Sequence, residues 1–276
     1  MATQKEKAIE FRKLHLQGDI LVIANAWDAG SARIFEQAGF PALGTTSGGI
    51  AYSLGLPDGQ KITRDEMLQA ITRIAHRVKI PVTADIEAGY ADKPSDLADT
   101  IIRLVSTGAV GLNLEDSTKN PETPLYTLKT QVERITTVRK IADLVDIPLV
   151  INARCDVLLL GKGDKNTNIK ETIRRGIEYR KAGADCFFPV GAIDAETISE
   201  LVKGVGYPVN ILANANVPPV PELKRLGVRR VSVGSGPARA TLGLIQRIAQ
   251  ELRTTGTYKT ILEGTPSHND ANKLLD

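Results

Sequence analysis

The chain alternates short apolar runs with longer amphipathic stretches eight times, and this alternation limits the fold more than any other feature. Strand-like runs lie near residues 20–24 (ILVIA), 41–45 (PALGT), 80–84 (IPVTA) and 109–114 (AVGLNL). Four more follow near 148–152 (PLVIN), 184–188 (ADCFF), 208–212 (PVNIL) and 228–233 (VRRVSV). The punctuation alternates too. Strands two, four, six and eight each follow a glycine (Gly39, Gly108, Gly183, Gly227), as expected where a left-handed residue closes a helix. Strands three, five and seven open instead with Ile80-Pro81, Ile147-Pro148 and Tyr207-Pro208, and proline both stops a helix and is tolerated at a strand's first residue. Thr63 with Glu66 is a capping-box signature for the start of one intervening helix. This pattern predicts an α/β chain folded as a (β/α)8 barrel over 1–255, with an extra N-terminal helix near 3–17 and a C-terminal helical tail over 256–276. An open doubly wound sheet would need a Gly-rich dinucleotide turn after the first strand, and Asn25-Ala-Trp-Asp-Ala-Gly30 is not one.

Composition narrows the function. Hydrophobic residues are 42% of the chain, enough for a large core, and the net charge of +3 is spread with no run of five like charges. With aromatics at 4%, nothing indicates a nucleic-acid partner or an anionic membrane surface. Cys155 and Cys186 are too few for a disulfide framework or a Cys-rich metal site, and are expected to be buried free thiols. The charged N-terminus lacks the apolar stretch of a secretory signal, and no 18-residue apolar run occurs, so a cytoplasmic protein is the default expectation.

In a barrel of this kind, chemistry sits on the loops after the strands. Asn25, Trp27 and Asp28 follow strand one; Ser47, Gly48 and Gly49 follow strand two. Asp85 and Glu87 end strand three, Glu115 and Asp116 strand four, Arg154 and Asp156 strand five, and Asn214 and Asn216 follow strand seven. Residues two apart in a strand share a face, so Asp85 and Glu87 are expected to converge with Glu115 from the neighbouring strand. Like charges repel unless a cation lies between them, and hard oxygens without His or Cys suit Mg2+, or Mn2+, held partly through water. Arg154 facing such a cluster can fork onto a substrate carboxylate, or simply pair with Glu115 or Asp156. The amides of Ser47-Gly48-Gly49 offer a second anion contact, unless the segment is only a turn. His15, His76 and His268 all lie away from strand ends, which removes His-ligated zinc and leaves no obvious histidine base. No lysine ends a strand, so a Schiff-base nucleophile is missing. Gly234-Ser235-Gly236 is a weaker candidate for phosphate.

Five motifs together carry a family resemblance: TTSGGIAYSLGLPDG (45–59), TADIEAGY (83–90), GAVGLNLEDS (108–117), LVINARCD (149–156) and VSVGSGPARATLGL (231–244). Through them nearly the whole chain resembles the isocitrate lyase / phosphoenolpyruvate mutase superfamily, and within it the small phosphonomutase-like members. The resemblance implies α-oxo acid chemistry at the barrel mouth. It implies that Ser47 and Gly48 amides, together with Arg154, hold a substrate carboxylate, with Asp58 as a further acid of the site. It also implies Mg2+ anchored at Asp85 and Glu87, mostly through water, with Glu115 joining. Homo-oligomers are implied as well, dimers or tetramers in which the final helix packs on or exchanges with a neighbour. One departure matters. Lyases of this superfamily carry a K-K-C-G-H-type loop after the E-D motif, whereas residues 117–126 here read STKNPETPLY, with no Cys or His. Lys119-Asn120 is similar to the mutase loop only loosely, and Pro121 and Pro124 suggest an irregular lid.

The expected activity is therefore Mg-dependent cleavage or rearrangement of a C–C or C–P bond, through a stabilised enolate, in a small 2-oxo or 2-hydroxy (di)carboxylate or phosphono-oxo acid. Lys119, Tyr52 and Asp58 stand as alternatives for proton handling, and Asn214 as a further substrate contact. Two other readings remain: a catalytically silent oxo-acid binder, and a sugar-phosphate barrel using Gly234–Gly236.

Overall fold

The computed structural model describes residues 2–276. Helix α1 (Gln4–Leu16) leads into β1 (Leu21–Ala26), α2 (Ala29–Gln37), β2 (Leu43–Thr45), α3 (Ser47–Ser53), α4 (Arg64–Arg77) and β3 (Val82–Asp85). Next come α5 (Pro94–Ser106), β4 (Gly111–Glu115), α6 (Leu128–Leu144), β5 (Val150–Cys155), α7 (Val157–Leu160), α8 (Lys165–Lys181) and β6 (Cys186–Pro189). The chain ends with α9 (Ala195–Val205), β7 (Asn210–Leu212), α10 (Val220–Arg225), β8 (Arg230–Ser232), α11 (Gly236–Thr254), α12 (Lys259–Leu262) and α13 (His268–Leu275). All strand pairs are parallel, in the order β6-β5-β4-β3-β2-β1-β8-β7. A parallel bridge between Phe187 and Val209 joins β6 to β7 and closes the ring. The expected (β/α)8 barrel with flanking helices is what forms.

The punctuation works as predicted. Gly39, Gly108, Gly183 and Gly227 all have positive φ. Thr63 accepts from the Glu66 amide while Glu66 accepts from the Thr63 amide, opening α4. Pro81, Pro148 and Pro208 stand just before β3, β5 and β7. The ladders run further toward the mouth than the apolar runs suggested, because polar residues such as Asp85, Glu115 and Arg154 still belong to them.

Side chains alternate along each strand. Leu112, Leu114, Ile151 and Ala153 face the helices in the main core, each fully buried, and burying a Leu or Ile contributes about 1.5–3 kcal/mol. Between them Gly111, Asn113, Asn152 and Arg154 face the barrel axis. Helix α1 plugs the bottom, where Ala8 and Phe11 pack with Leu21, Ile23, Val110 and Val150. A Cβ on Gly111 would stand 2.8 Å from the Val150 carbonyl and 3.0 Å from the Phe11 ring, so the plug seats only against glycine. Helix α11 differs from the other barrel helices: of its 19 residues only Ala238 is buried, while Leu242, Leu244, Ile245 and Leu252 are exposed. Among the described residues, no helix is long and apolar enough to cross a membrane.

Candidate active site

A cavity of about 230 Å3 opens at the carboxyl ends of the strands. Ser47, Asp58, Asp85, Asn113, Arg154 and Ser235 all line it. It is smaller than the roughly 300–1,000 Å3 typical of sites for drug-sized ligands, which suits a small metabolite.

Asp85 ends β3 and turns its carboxylate toward β2. Its Oδ2 accepts from the Ser47 hydroxyl at 2.9 Å and the Ser47 amide at 3.3 Å. The Asp85 amide donates to Thr45 Oγ1 at 2.9 Å, which fixes the strand end. Ser47-Gly48-Gly49 is not a flexible turn but the first turn of α3, capped by Thr46, whose hydroxyl accepts from the Gly49 amide. With Ser47 N directed at Asp85, Gly48 N is the amide of the three that has no partner among the described residues. A Cβ on Gly48 would lie 3.0 Å from Asp58 Oδ2, so the Asp58 carboxylate lies directly over this backbone. Gly49 has a packing role instead: a Cβ there would meet Thr46 at 2.6 Å and Trp27 at 2.8 Å.

Arg154 makes both of the ion pairs open to it. Its Nε and Nη2 fork onto Asp156 at 2.7 and 2.9 Å, and Nη1 meets Glu115 Oε2 at 2.8 Å. A guanidinium has five N–H donors, so these bonds orient it and still leave donors for a ligand. Although buried, it is held charged by Glu115 and Asp156. Asp156 is fixed in turn, since its amide donates to Asp116 Oδ1 at 2.9 Å. Asp116 Oδ2 accepts from Arg175 Nη1 at 3.0 Å and from the Tyr179 hydroxyl at 2.8 Å. Helix α8 thereby braces the arginine through two carboxylates.

The three acids expected around a metal do not form one ligand cage. β3 ends at Asp85, and Glu87 lies beyond it with φ +53°, so strand alternation no longer governs where Glu87 points. Glu87 Oε1 accepts from the Gln60 amide at 2.9 Å, and Gln60 Oε1 accepts from the Ala88 amide at 3.1 Å. Lys119 Nζ then bridges Glu87 Oε2, at 3.1 Å, and Glu115 Oε1. Gln60, Glu87 and Lys119 are all non-glycine residues with positive φ, and such strain gathers where surrounding contacts over-determine the backbone. Burial pushes the Glu115 carboxyl up against the pull of Arg154 and Lys119, and burial raises Glu87 as well. Burial works against the Lys119 charge, but Glu115 and Glu87 outweigh it and hold the ammonium above its usual range. Among the described residues, no group of three or more His, Cys, Asp or Glu could hold a metal ion.

The donor chemistry still fits Mg2+ retaining several waters. Asp85 presents a hard oxygen to the cavity beside Asp58, the donor type Mg2+ takes, whereas Glu87 Oε2 and both Glu115 oxygens are ion-paired with Lys119 and Arg154. Asp85 lines the cavity and could hold such an ion; Glu87 and Glu115 are not among the residues that line it.

Other sequence candidates fall elsewhere. Asn214 is exposed and accepts from the Asn216 amide at 2.9 Å in a local turn, and neither it nor Tyr52 lines the cavity. Asp28 caps α2. Cys155 is fully buried in the outer core, behind the strand that carries Arg154, and burial raises its thiol. Cys186 is also a buried free thiol. Asn25 Oδ1 takes the Val233 and Gly234 amides at 2.9 and 3.0 Å, so the Gly234 amide is not free for a phosphate. The segment after β4 folds into a small antiparallel flap through a Ser117–Leu125 bridge and a Thr118 N to Pro124 O bond of 2.9 Å. Gln60, Arg175 and Asn113 join the site beyond the residues the sequence pattern marks. For Asn113 a signal existed, a polar residue alternating with leucines in GLNLE.

Comparison with known proteins places the chain among relatives. The family model for phosphoenolpyruvate phosphomutase matches residues 11–253. A crystal structure from Burkholderia cenocepacia J2315, with a provisional lyase/mutase assignment, is 40% identical; the alignment covers 98% of this chain and 95% of that one, with a TM-score of 0.92. An uncharacterized Mycobacterium tuberculosis protein is 36% identical over 239 residues, 85% of each chain. The oxaloacetate decarboxylase of Pseudomonas entomophila is 31% identical over 242 residues, covering 84% of this chain and 80% of that protein. With the barrel and this family match in agreement, the chain belongs to the phosphoenolpyruvate phosphomutase family within the isocitrate lyase / phosphoenolpyruvate mutase superfamily, and is an enzyme of that lyase/mutase type.

Proposed function

We propose that the cavity binds a small 2-oxo or 2-hydroxy dicarboxylate, or a phosphono-oxo analogue, together with Mg2+ or Mn2+, and breaks or rearranges a C–C or C–P bond. The observation that carries this reading is that the Asp85 carboxylate and the Arg154 guanidinium open into the same 230 Å3 cavity. Asp85 would hold the ion, with Glu87 and Glu115 acting through water. The ion's contribution when bound is to polarise the oxo and carboxylate oxygens and offset the negative charge that grows as the bond breaks. Arg154 and the Gly48 amide receive the substrate carboxylate, and their preset orientation avoids reorganisation during the reaction. Asp58 stands over Gly48 as the acid within reach of a proton in transit, while Lys119 holds the two glutamates from the flap.

The flap has no Cys or His, which favours substrates whose departing carbanion needs no thiol donor. Oxaloacetate is the first such substrate to test, since one relative is an oxaloacetate decarboxylase. The exposed apolar face of α11 supports a homo-oligomer in which the C-terminal helices of one copy pack on another. The test is turnover of oxaloacetate, phosphonopyruvate and malate-type acids with Mg2+, measured above the rate of the metal alone. Turnover of at least one, abolished in Asp85→Ala, is expected. No turnover by the wild type would overturn the enzyme reading of this cavity, and tight oxalate binding in that case would mark a silent binder.

A further inference from the structure

Arg230 lies inside the barrel with no solvent exposure and no carboxylate within ion-pair distance among the described residues. Its contacts are few. Nη1 meets His15 Nε2 at 3.5 Å, Nη2 meets Asn113 Oδ1 at 3.5 Å, the Phe11 ring centroid is 6.0 Å away, and Nε has no partner. His15 supplies no counter-charge, because burial and the nearby arginines keep its ring neutral. A lone buried cation costs stability, and apolar residues of similar volume are often no worse. Such a residue calls for a role above the plug.

Asn113 supplies the link. It lines the ligand cavity, and in the sheet it is registered beside Asp85. Its Oδ1 accepts from Asn152 Nδ2 at 2.8 Å as well as facing Arg230. A guanidinium has only donors, so Arg230, with Asn152 Nδ2, favours Asn113 presenting its oxygen downward. The two N–H donors of Asn113 are then left toward the cavity, where they match an anionic oxygen.

We propose that Arg230 is a positioning residue for the ligand, fixing Asn113 so that its amide N–H groups face the bound anion. This rests on the oxo-acid reading of the cavity. Arg154 grips the ligand from the rim, and the Arg230–Asn113 pair sets a donor on the cavity floor. The inference deepens the site by one layer and assigns a purpose to a polar barrel interior.

The experiment is a double-mutant cycle read by calorimetric titration of oxalate at saturating Mg2+, alongside urea unfolding. Asn113→Leu is expected to weaken oxalate roughly tenfold, the scale of one hydrogen bond to a charged group. Arg230→Met is expected to weaken oxalate similarly while unfolding at no lower urea concentration. The double variant is expected to bind no worse than Asn113→Leu alone, because one residue acts through the other. Wild-type affinity in Arg230→Met, or losses that multiply in the double variant, would overturn the proposal. If Arg230→Met fails to fold, Asn113→Leu decides alone, and unchanged oxalate affinity there overturns it. A wild type that binds no oxalate would refute the reading of the cavity itself, a result distinct from either failure.

Discussion

His15 makes this barrel sensitive to mild acid. The ring lies on α1 with 1% exposure, in the plug under the barrel. Its Nδ1 is 2.8 Å from the Phe11 carbonyl, which can only accept, so Nδ1 carries the proton and Nε2 faces Arg230 Nη1 at 3.5 Å. Protonating Nε2 would set a second cation against that guanidinium in a dry interior. Burial first, then Arg230, with smaller pushes from Arg229 and Arg12, lowers the ring to about 3, outweighing the opposite pull of the Phe11 carbonyl. In the unfolded chain the ring titrates near 6.5, so as pH falls the unfolded chain takes up the proton first. The stability tied to the neutral ring is complete above about pH 6.5 and is lost progressively as pH falls toward 3, at about 1.4 kcal/mol per unit. At pH 5.0 the loss amounts to about 2 kcal/mol. His15→Gln removes this titration. Urea unfolding of both proteins at pH 7.5 and 5.0 cancels the carboxylate contributions they share. The wild type is expected to lose about 2 kcal/mol more than His15→Gln over that interval. Parallel losses would refute a neutral, buried His15.

Arg175→Met removes the cation from buried Asp116, and an uncompensated buried charge costs about 3–5 kcal/mol, measurable as a lower urea midpoint. Because Asp116 also holds the Asp156 amide, the same variant is expected to weaken oxalate through a looser Arg154. Ile245→Glu with Leu252→Glu places charges on the exposed apolar face of α11. Light scattering is expected to show a wild type heavier than the 29.8 kDa chain and a variant shifted toward it.

Much of the barrel is legible in the sequence because the chain uses two chemically different stops. Gly39, Gly108, Gly183 and Gly227 supply the positive φ that ends helices, while Pro81, Pro148 and Pro208 remove a helical donor just before strands. Strand ends such as Asp85 and Arg154 were readable for the same reason: period-two alternation locates them as long as the ladder lasts. Alternation fails within two residues of its end. Glu87 has a left-handed backbone, and its carboxylate turns to Gln60 and Lys119. Asn214 fails similarly, since β7 stops at Leu212 and the chain curls into its own turn. Gln60, Arg175 and Arg230 reach the site from distant segments, and no local spacing encodes such contacts. The polar interior was visible in outline, as Asn113, Asn152 and Asn210 interrupt apolar runs at inward positions.

The central claim, a divalent cation at Asp85 sharing a small acid with Arg154, is tested most directly by a crystal soaked with Mn2+ and oxalate. The account predicts one anomalous peak in the cavity, within ligand distance of Asp85, with oxalate oxygens on the ion and oxalate reaching Arg154 or the Gly48 amide. Oxalate bound with no such peak, or an ion seated away from Asp85, would contradict it.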